Sequence, residues 1–402
     1  MRGKLTVLMI TAFVDMLGLA MVIPLLPFYA TELGASATIV GVLIAAFSIA
    51  QLASAPLWGR FSDRYGRRPA LLAGLLISAV AYVIFAYAST LWLLLICRVV
   101  QGLGGGTIGV VQAYVADASD PMDGAQSLGW LSAATSLGAV VGPAIGSALI
   151  HWGRPAPGLA SAVFCVLVSI FASIYLRESR QETPITSEHG VVHQTSASAV
   201  WSVIARPKEP AQRLIWIYAI AIGAFYGTVP TLPLILANRL PITEANVGYF
   251  VMYLGGMGVF VRAGLLGRMI EWLGEARLTR LGLVLLAMGL ALIAAVHSYL
   301  TLLVALTLMP LGTAFVFPCV TATLSRVVPS RHRGLYMGVQ HTFGGVSRVV
   351  FPLGAGVAMD HLGLGFPFVL AGVLVLATLP LTASMESFAP ARTPSVTKTG
   401  SP

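Results

Sequence analysis

Long apolar runs, separated by short polar ones, make up most of the chain. A helix that crosses a bilayer needs about 20 mostly apolar residues. Twelve stretches qualify, at roughly 5–29, 38–58, 68–87, 90–117, 125–150, 157–177, 213–237, 246–266, 278–296, 299–325, 333–359 and 364–384. Between the sixth and seventh lies a polar segment, 178–212, rich in Ser, Thr, Glu and His. After Ser387 the chain contains Pro, Thr, Ser and Lys, a composition that predicts a disordered tail. The pattern predicts an all-α integral membrane fold: a six-helix bundle over 1–177, a linker over 178–212, a second six-helix bundle over 213–386 and a tail over 387–402.

Composition agrees. The 402 residues are 57% hydrophobic and 10% charged, with a mean hydropathy of +0.86. A soluble domain carries about 25% charged residues, so this much apolar surface belongs in lipid. The net charge of +9 does not predict a nucleic-acid partner, because the Arg and Lys residues sit at the ends of apolar runs and form no stripe. Cys97, Cys165 and Cys319 are isolated within apolar segments and offer neither a disulfide framework nor metal spacing. The first run continues to about Tyr29 without a small-residue cleavage site, which argues against a signal peptide.

Charge then sets sidedness. Of the 24 Arg and Lys residues, Arg154 and Arg239 fall in one set of connections, Arg98, Arg262 and Arg348 fall within spans, and the other nineteen fall in the opposite set. Basic residues collect on the cytoplasmic side, so both termini are expected there. The densest group is Gly59-Arg60-Phe61-Ser62-Asp63-Arg64-Tyr65-Gly66-Arg67-Arg68, read as a connection between the second and third spans.

The two halves repeat. Gly59-Arg60-x-x-Asp63-x-x-Gly66 returns as Gly267-Arg268-x-x-Glu271-x-x-Gly274 at an offset of 208. Pro24-x-x-Pro27 returns as Pro230-x-x-Pro233 at 206, and Pro143 matches Pro352 at 209. Three similar offsets predict two pseudo-symmetric six-helix units, an arrangement typical of secondary transporters, with the substrate site between the repeats near the midplane.

On these residues the chain resembles the major facilitator superfamily, specifically the twelve-helix drug:proton antiporters related to tetracycline and multidrug efflux proteins. Four motifs spread over about 5–384 carry the likeness. The charged stretch resembles the motif that follows the second helix. Its glycines, Gly59 and Gly66, permit tight turning and close helix approach, and Asp63 can accept from backbone N–H groups at a helix start. The resemblance implies that Asp63 meets the start of helix 11 at Ser330–Gly334 and that an Arg of the motif, Arg67 first, pairs with Asp117. Gly59, Asp63, Arg64, Gly66, Arg67, Arg68 and Asp117 would form a conformational latch. Arg98-Val99-Val100-Gln101-Gly102 resembles a second motif. Arg98 stands about eight residues, or ~12 Å, into its span and calls for a buried partner. Gly138-x-x-x-Gly142-Pro143-x-x-Gly146 resembles the antiporter motif of helix 5, with glycines at a spacing of four and a helix-loosening proline. Helix 1, with Asp15 ahead of Gly18 and Pro24-x-x-Pro27, looks like the start of tetracycline-type antiporters.

Asp15 is the acid well inside a span, and removal from water disfavours its charged form, which suits proton exchange. Asp15 and Arg98 are therefore the candidate proton-coupling residues; they reach similar depths, and a static buried ion pair is the alternative. Gln51, Gln101, Gln112, Tyr114, Tyr226, Gln340 and His341 are candidate cavity-lining groups, with Met21, Phe47, Trp130, Phe225 and Phe315 as apolar ones. The resemblance implies a monomer in the inner membrane that exports a lipophilic, in one version cationic, small molecule in exchange for a proton, with no other cofactor and no metal. Alternatives are a proton-linked or facilitative carrier for one metabolite, a non-transporting receptor and a membrane enzyme. Neither a phosphate-binding loop nor a catalytic constellation supports ATP hydrolysis or an enzyme.

Overall fold

A computed structural model describes residues 2–118, 124–176, 178 and 196–388. Twelve helices long and apolar enough to span a membrane follow one another: α1 Leu5–Glu32, α2 Ala37–Tyr65, α3 Arg67–Ala86, α4 Leu91–Ala118, α5 Gln126–Trp152, α6 Ala156–Tyr175, α7 Pro210–Arg239, α8 Glu244–Leu273, α9 Glu275–Ala294, α10 Tyr299–Val327, α11 Ser330–Leu362 and α12 Phe366–Ala383. Of the predicted linker, a short helix, Ser196–Ala205, lies within the described residues. The predicted disordered tail lies outside them from 389 onward.

The helices start where side chains replace the bonds missing from a first turn. Ser36, Thr90 and Ser298 accept from the backbone N–H groups of Ile39, Leu93 and Thr301 at the heads of α2, α4 and α10. In lipid every backbone group must be paired within the protein, so interruptions of a span are informative. Four spans are interrupted within their length, one of them α4, which breaks at Gly106 and Thr107. Helix α1 breaks over Ile23–Leu25, around Pro24. Helix α7 passes through a π-helical turn, Gly223–Gly227, and a 3-10 turn, Val229–Thr231. Helix α8 contains a second π-helical turn, Val261–Leu265. Turns of this kind are common at functional sites.

The charged stretch is not the loop expected of it. Helix α2 runs on through Tyr65, and the reversal into α3 is made by one residue, Gly66, at φ 108°. The repeat does the same: α8 runs to Leu273 and turns at Gly274, φ 76°. A positive φ is open to glycine and strained for other residues, so the sequence needs only one glycine per turn. The polar residues before it are simply the last two turns of a helix that has left the apolar layer.

Within the first six spans, α1 packs on α5 and α6, α2 on α4, and α3 on α4 and α6; within the last six, α9 packs on α10 and α12, and α7 on α10 and α11. The end of α1 touches the end of α7 and α2 touches the 3-10 turn of α7, but the two main contacts that join the sets are α2 with α11 and α5 with α8. They are related by the repeat. A Cβ placed on Gly41 of α2 would stand 2.3 Å from the Pro352 carbonyl oxygen of α11. One placed on Gly248 of α8 would stand 1.9 Å from the Pro143 carbonyl oxygen of α5. Both contacts lie toward the face opposite the charged turn, here called the far face. Two polar contacts extend them. Asp360 accepts from the N–H groups of Ala37 (3.0 Å) and Thr38 (2.9 Å) at the head of α2. Ser147 Oγ donates to the Glu244 carbonyl (2.6 Å) and accepts from Gly248 N–H (2.9 Å).

Candidate functional site

Between the two sets lies a cavity of about 390 Å³. Each interrupted helix contributes to it: Pro24 from α1, Arg98 and Ile108 from α4, Phe225, Tyr226 and Pro230 from α7, and Arg262 from α8. Pro143, Pro310 and Arg348 complete much of the remaining wall. Most of the lining is apolar, and the charged side chains among the lining residues are Arg98, Arg262 and Arg348.

Arg98 is 3% exposed. Its Nε donates to the Leu43 carbonyl at 3.2 Å, an Nη donates to the Gln101 side chain, and the guanidinium lies over the Phe47 ring, 4.6 Å from its centre. A cation–π contact and two neutral acceptors stand in for a carboxylate partner. Asp15 is elsewhere. It lines a separate cavity of about 130 Å³ with Thr11, Thr107, Gln112, Ser132 and Thr135. Met16 and Ile108 border both cavities. No ion pair or hydrogen bond joins Asp15 to Arg98 among the described residues. Equal depth along two helices does not make two side chains face each other, and these point to opposite sides of that wall.

The other candidates divide similarly. Gln51 and Tyr226 line the large cavity, Gln51 donating to the Gly105 carbonyl at 3.2 Å. Gln112 lines the small one. Gln101 sits behind Arg98 with its Nε2 buried and unpaired. Tyr114 lines neither of these two: it is fully buried in a packed cluster with Leu8, Leu71 and Leu131. Gln340 is also fully buried, accepting from Thr321 at 3.5 Å. His341 is exposed and meets Tyr218 edge-on, with ring centres 6.2 Å apart, off the wall of the large cavity. Of the apolar candidates, Phe47 and Phe225 reach the cavity, Met21 and Phe315 are buried in packing, and Trp130 is exposed.

Helix α5 serves two neighbours. A Cβ on Gly138, Gly142 or Gly146 would come within 2.4, 2.7 or 2.4 Å of the backbone oxygens of Phe13, Leu17 and Met21. The glycine face therefore lets α5 lie directly against α1, as the four-residue spacing predicts. Pro143 points the other way, toward Gly248 and the large cavity.

At the charged turn, Arg67 holds two acids: Asp63 at 2.7 Å and Asp117 at 3.1 Å. It also donates to Ser62 Oγ at 2.9 Å. The Glu178 carboxylate, which no motif points to, accepts from the Arg67 and Arg68 backbone N–H groups at 2.8 and 3.2 Å and so caps α3. Arg68 donates to the Ser173 carbonyl, and Arg64 lies 5.4 Å from the Tyr65 ring centre. The expected approach of Asp63 to Ser330–Gly334 is not made. The Asp63 side chain is 69% exposed, and a Cβ on Gly59 or Gly334 would meet nothing within 4 Å. With the far face closed by the α2–α11 and α5–α8 contacts, the ends of the two sets at the charged turn stand apart.

Applying the repeat offset to Arg67 and Asp117 leads to Glu275 and the neighbourhood of Arg326. Those two form an ion pair, with Thr323 also donating to Glu275 at 3.0 Å. The second half thus keeps the pair with its charges exchanged.

The model of the Major Facilitator Superfamily matches residues 8–294 and 263–399. The chain belongs to the major facilitator superfamily. It is 28% identical over 386 residues to multidrug resistance protein 1 of Bacillus subtilis (strain 168), covering 95% of this chain and 96% of that one. It is 27% identical over 365 residues to the class B tetracycline resistance protein of Escherichia coli, covering 90% of each. Among solved structures, the human organic anion transporter MFSD10 (TETRAN) superposes with a TM-score of 0.67 at 23% identity, covering 95% of this chain and 99% of that one. Relatives and fold are those of transporters, not enzymes, and the twelve spans make this superfamily member a multi-pass inner-membrane protein that takes a small-molecule substrate within the membrane.

Proposed function

We propose that this protein exports lipophilic drugs or related small molecules in exchange for protons, by alternating access, with both termini cytoplasmic. The observation that carries the reading is a cavity between the repeats that is sealed on one side only. Glycine-to-carbonyl contacts and the Asp360 cap close the far face, whereas Asp63 and Gly334 stand open at the charged turn. Since basic residues gather at that turn, this is an inward-open state. Closing the inner face would bring Asp63 to the start of α11 and part the outer contacts, with the Arg67–Asp117 pair holding the turn rigid meanwhile.

Proton coupling is assigned to Asp15. It is the carboxyl set at mid-span among hydroxyl and amide side chains, with no cation within ion-pair reach among the described residues. Protonation there is separated from the substrate cavity by one layer, Met16 and Ile108, so the two ligands can be exchanged without meeting. The relatives named as drug-resistance proteins support export over uptake. A susceptibility panel in a pump-deficient host, with and without this gene, tests the reading: raised resistance to at least one lipophilic compound supports it. Unchanged susceptibility across the panel, together with counterflow of a single metabolite, would replace it with a metabolite carrier.

A further inference from the structure

The large cavity carries three arginines and no carboxylate among its lining residues. Their partners differ. Arg98 is satisfied by Leu43, Gln101 and Phe47 and still has free N–H donors. Arg348 has its Nε buried without an acceptor, its side-chain neighbour being Tyr226, whose ring centre is 5.9 Å away. Arg262 takes part in no ion pair or hydrogen bond among the described residues, and it lies on the π-helical turn of α8. The facing π-helical turn of α7 supplies Phe225 and Tyr226. The two irregular turns thus present an aromatic surface and one guanidinium, that of the exposed Arg262, to the same space, and Arg348 of the regular helix α11 adds a second.

Arg348 is half-buried with its Nε wholly so, and a guanidinium held away from bulk water is costly unless an anion meets it; the exposed Arg262 adds a second fork on the same cavity, and each fork matches a carboxylate or sulfonate. The nearest intramembrane acid, Asp15, is on the other side of Met16 and Ile108 and lines a different cavity. The counter-ion must therefore come from outside the chain. A permanent cation would meet three like charges and no compensating one. An apolar body carrying an acid would bury its body against Phe47, Phe225 and Tyr226 and place its acid at Arg348 and Arg262.

We propose that the substrates are lipophilic organic anions, an apolar or aromatic body bearing a carboxylate or sulfonate, with the acid group held by Arg348 and Arg262. This deepens the export reading, on which it rests for the cavity being the substrate path, and it turns the resemblance-based expectation of cationic cargo toward the opposite charge.

The test uses one fluorophore in three charge states: dansylglycine (anion), dansylglycinamide (neutral) and dansylcadaverine (cation). Each is titrated into the purified full-length protein in detergent. Affinity is expected to fall in that order, with the anion at least about tenfold tighter than the cation, the scale of one charge-assisted hydrogen bond. Arg348→Gln should lower the anion-to-amide affinity ratio by about fivefold or more, and Arg348→Lys should recover part of that loss because the charge returns without the fork. Arg262→Gln should act in the same direction. A cation that binds as tightly as the anion overturns the proposal, as does a ratio unmoved by both glutamine variants. Wild-type preference is measured without any variant, so a misfolded variant does not remove the test. Binding in detergent needs neither proton gradient nor direction. Anion preference without export would therefore sink the export reading alone, and export of a neutral dye without anion preference would sink this one alone.

Discussion

Adding one methyl group at Gly248 tests the idea that the outer face is held shut by backbone-to-backbone approach. The new Cβ would stand 1.9 Å from the Pro143 carbonyl oxygen and 2.7 Å from Ser147 Oγ. Ordinary contact begins near 3.4 Å, so α5 and α8 would have to part by roughly 1.5 Å at this point or bend away from each other. Overpacking of this kind costs about 1–3 kcal/mol. That cost applies only while the outer face is closed, so it shifts the conformational equilibrium by about 5- to 150-fold toward the outward-open state. Gly41→Ala, 2.3 Å from the Pro352 oxygen, should do the same through the symmetry-related contact. Gly129→Ala on α5, where a Cβ meets nothing within 4 Å, is the control. Spin labels on Thr31→Cys and Asn238→Cys, which border one shallow surface cavity at the outer ends of α1 and α7, report the separation. The native Cys97, Cys165 and Cys319 are all buried and compete little for label. Double electron–electron resonance should show a longer-distance population in both glycine variants and none in the control. If both variants fold and keep the parent's distance distribution, these contacts do not hold the face closed.

Asp360→Asn should act on the same equilibrium more weakly. Asp360 is exposed, so losing its charge at the head of α2 costs about 1 kcal/mol, or about a fivefold shift toward outward-open; the same label pair measures it, and an unchanged distribution would remove Asp360 from the lock. The Arg67–Asp117 pair should tolerate inversion, because Glu275–Arg326 already occupies the matching place in the second half. Arg67→Glu and Asp117→Arg are each expected to lower efflux, with the double variant recovering part of it in a susceptibility assay. A double variant no better than either single one would show that the residues act separately. The Arg67 side chain is 22% and that of Asp117 37% exposed, so the coupling energy from a double-mutant cycle should be modest, about 1 kcal/mol or less.

Depth along a helix was readable from the sequence, and direction around it was not. Hydropathy locates all twelve spans, since in lipid a span must be long and apolar whatever it packs against, but it ends α2 and α8 too early, at 58 and 266 where the helices run to Tyr65 and Leu273. Glycine spacing on α5 also reads correctly, because residues four apart necessarily share a face and Phe13, Leu17 and Met21 lie along that face. Helices that are apolar on every side give no comparable signal of which residue faces the cavity. Hence Tyr114, expected to line it, is packed among leucines, and Asp15 and Arg98, at similar depths, open onto different cavities. Gly41 and Gly248 were legible only as glycines. Their role depends on carbonyls of Pro352 and Pro143, brought to them from more than a hundred residues away in each case. The repeat itself held an unused signal: carried through to the Arg67–Asp117 pair, it leads to Glu275–Arg326. The π-helical turns at Gly223–Gly227 and Val261–Leu265 left no comparable mark, as nothing in their residue types separates them from ordinary helix.

Proton-coupled export through Asp15 is tested most directly in everted membrane vesicles acidified inside by respiration. Addition of a substrate found in the susceptibility panel should release protons from vesicles bearing the parent protein, seen as dequenching of a pH-sensitive dye. In vesicles bearing Asp15→Asn that release should fall at least about tenfold, while energy-independent counterflow of the same substrate persists. Full substrate-driven proton release by Asp15→Asn would contradict the account.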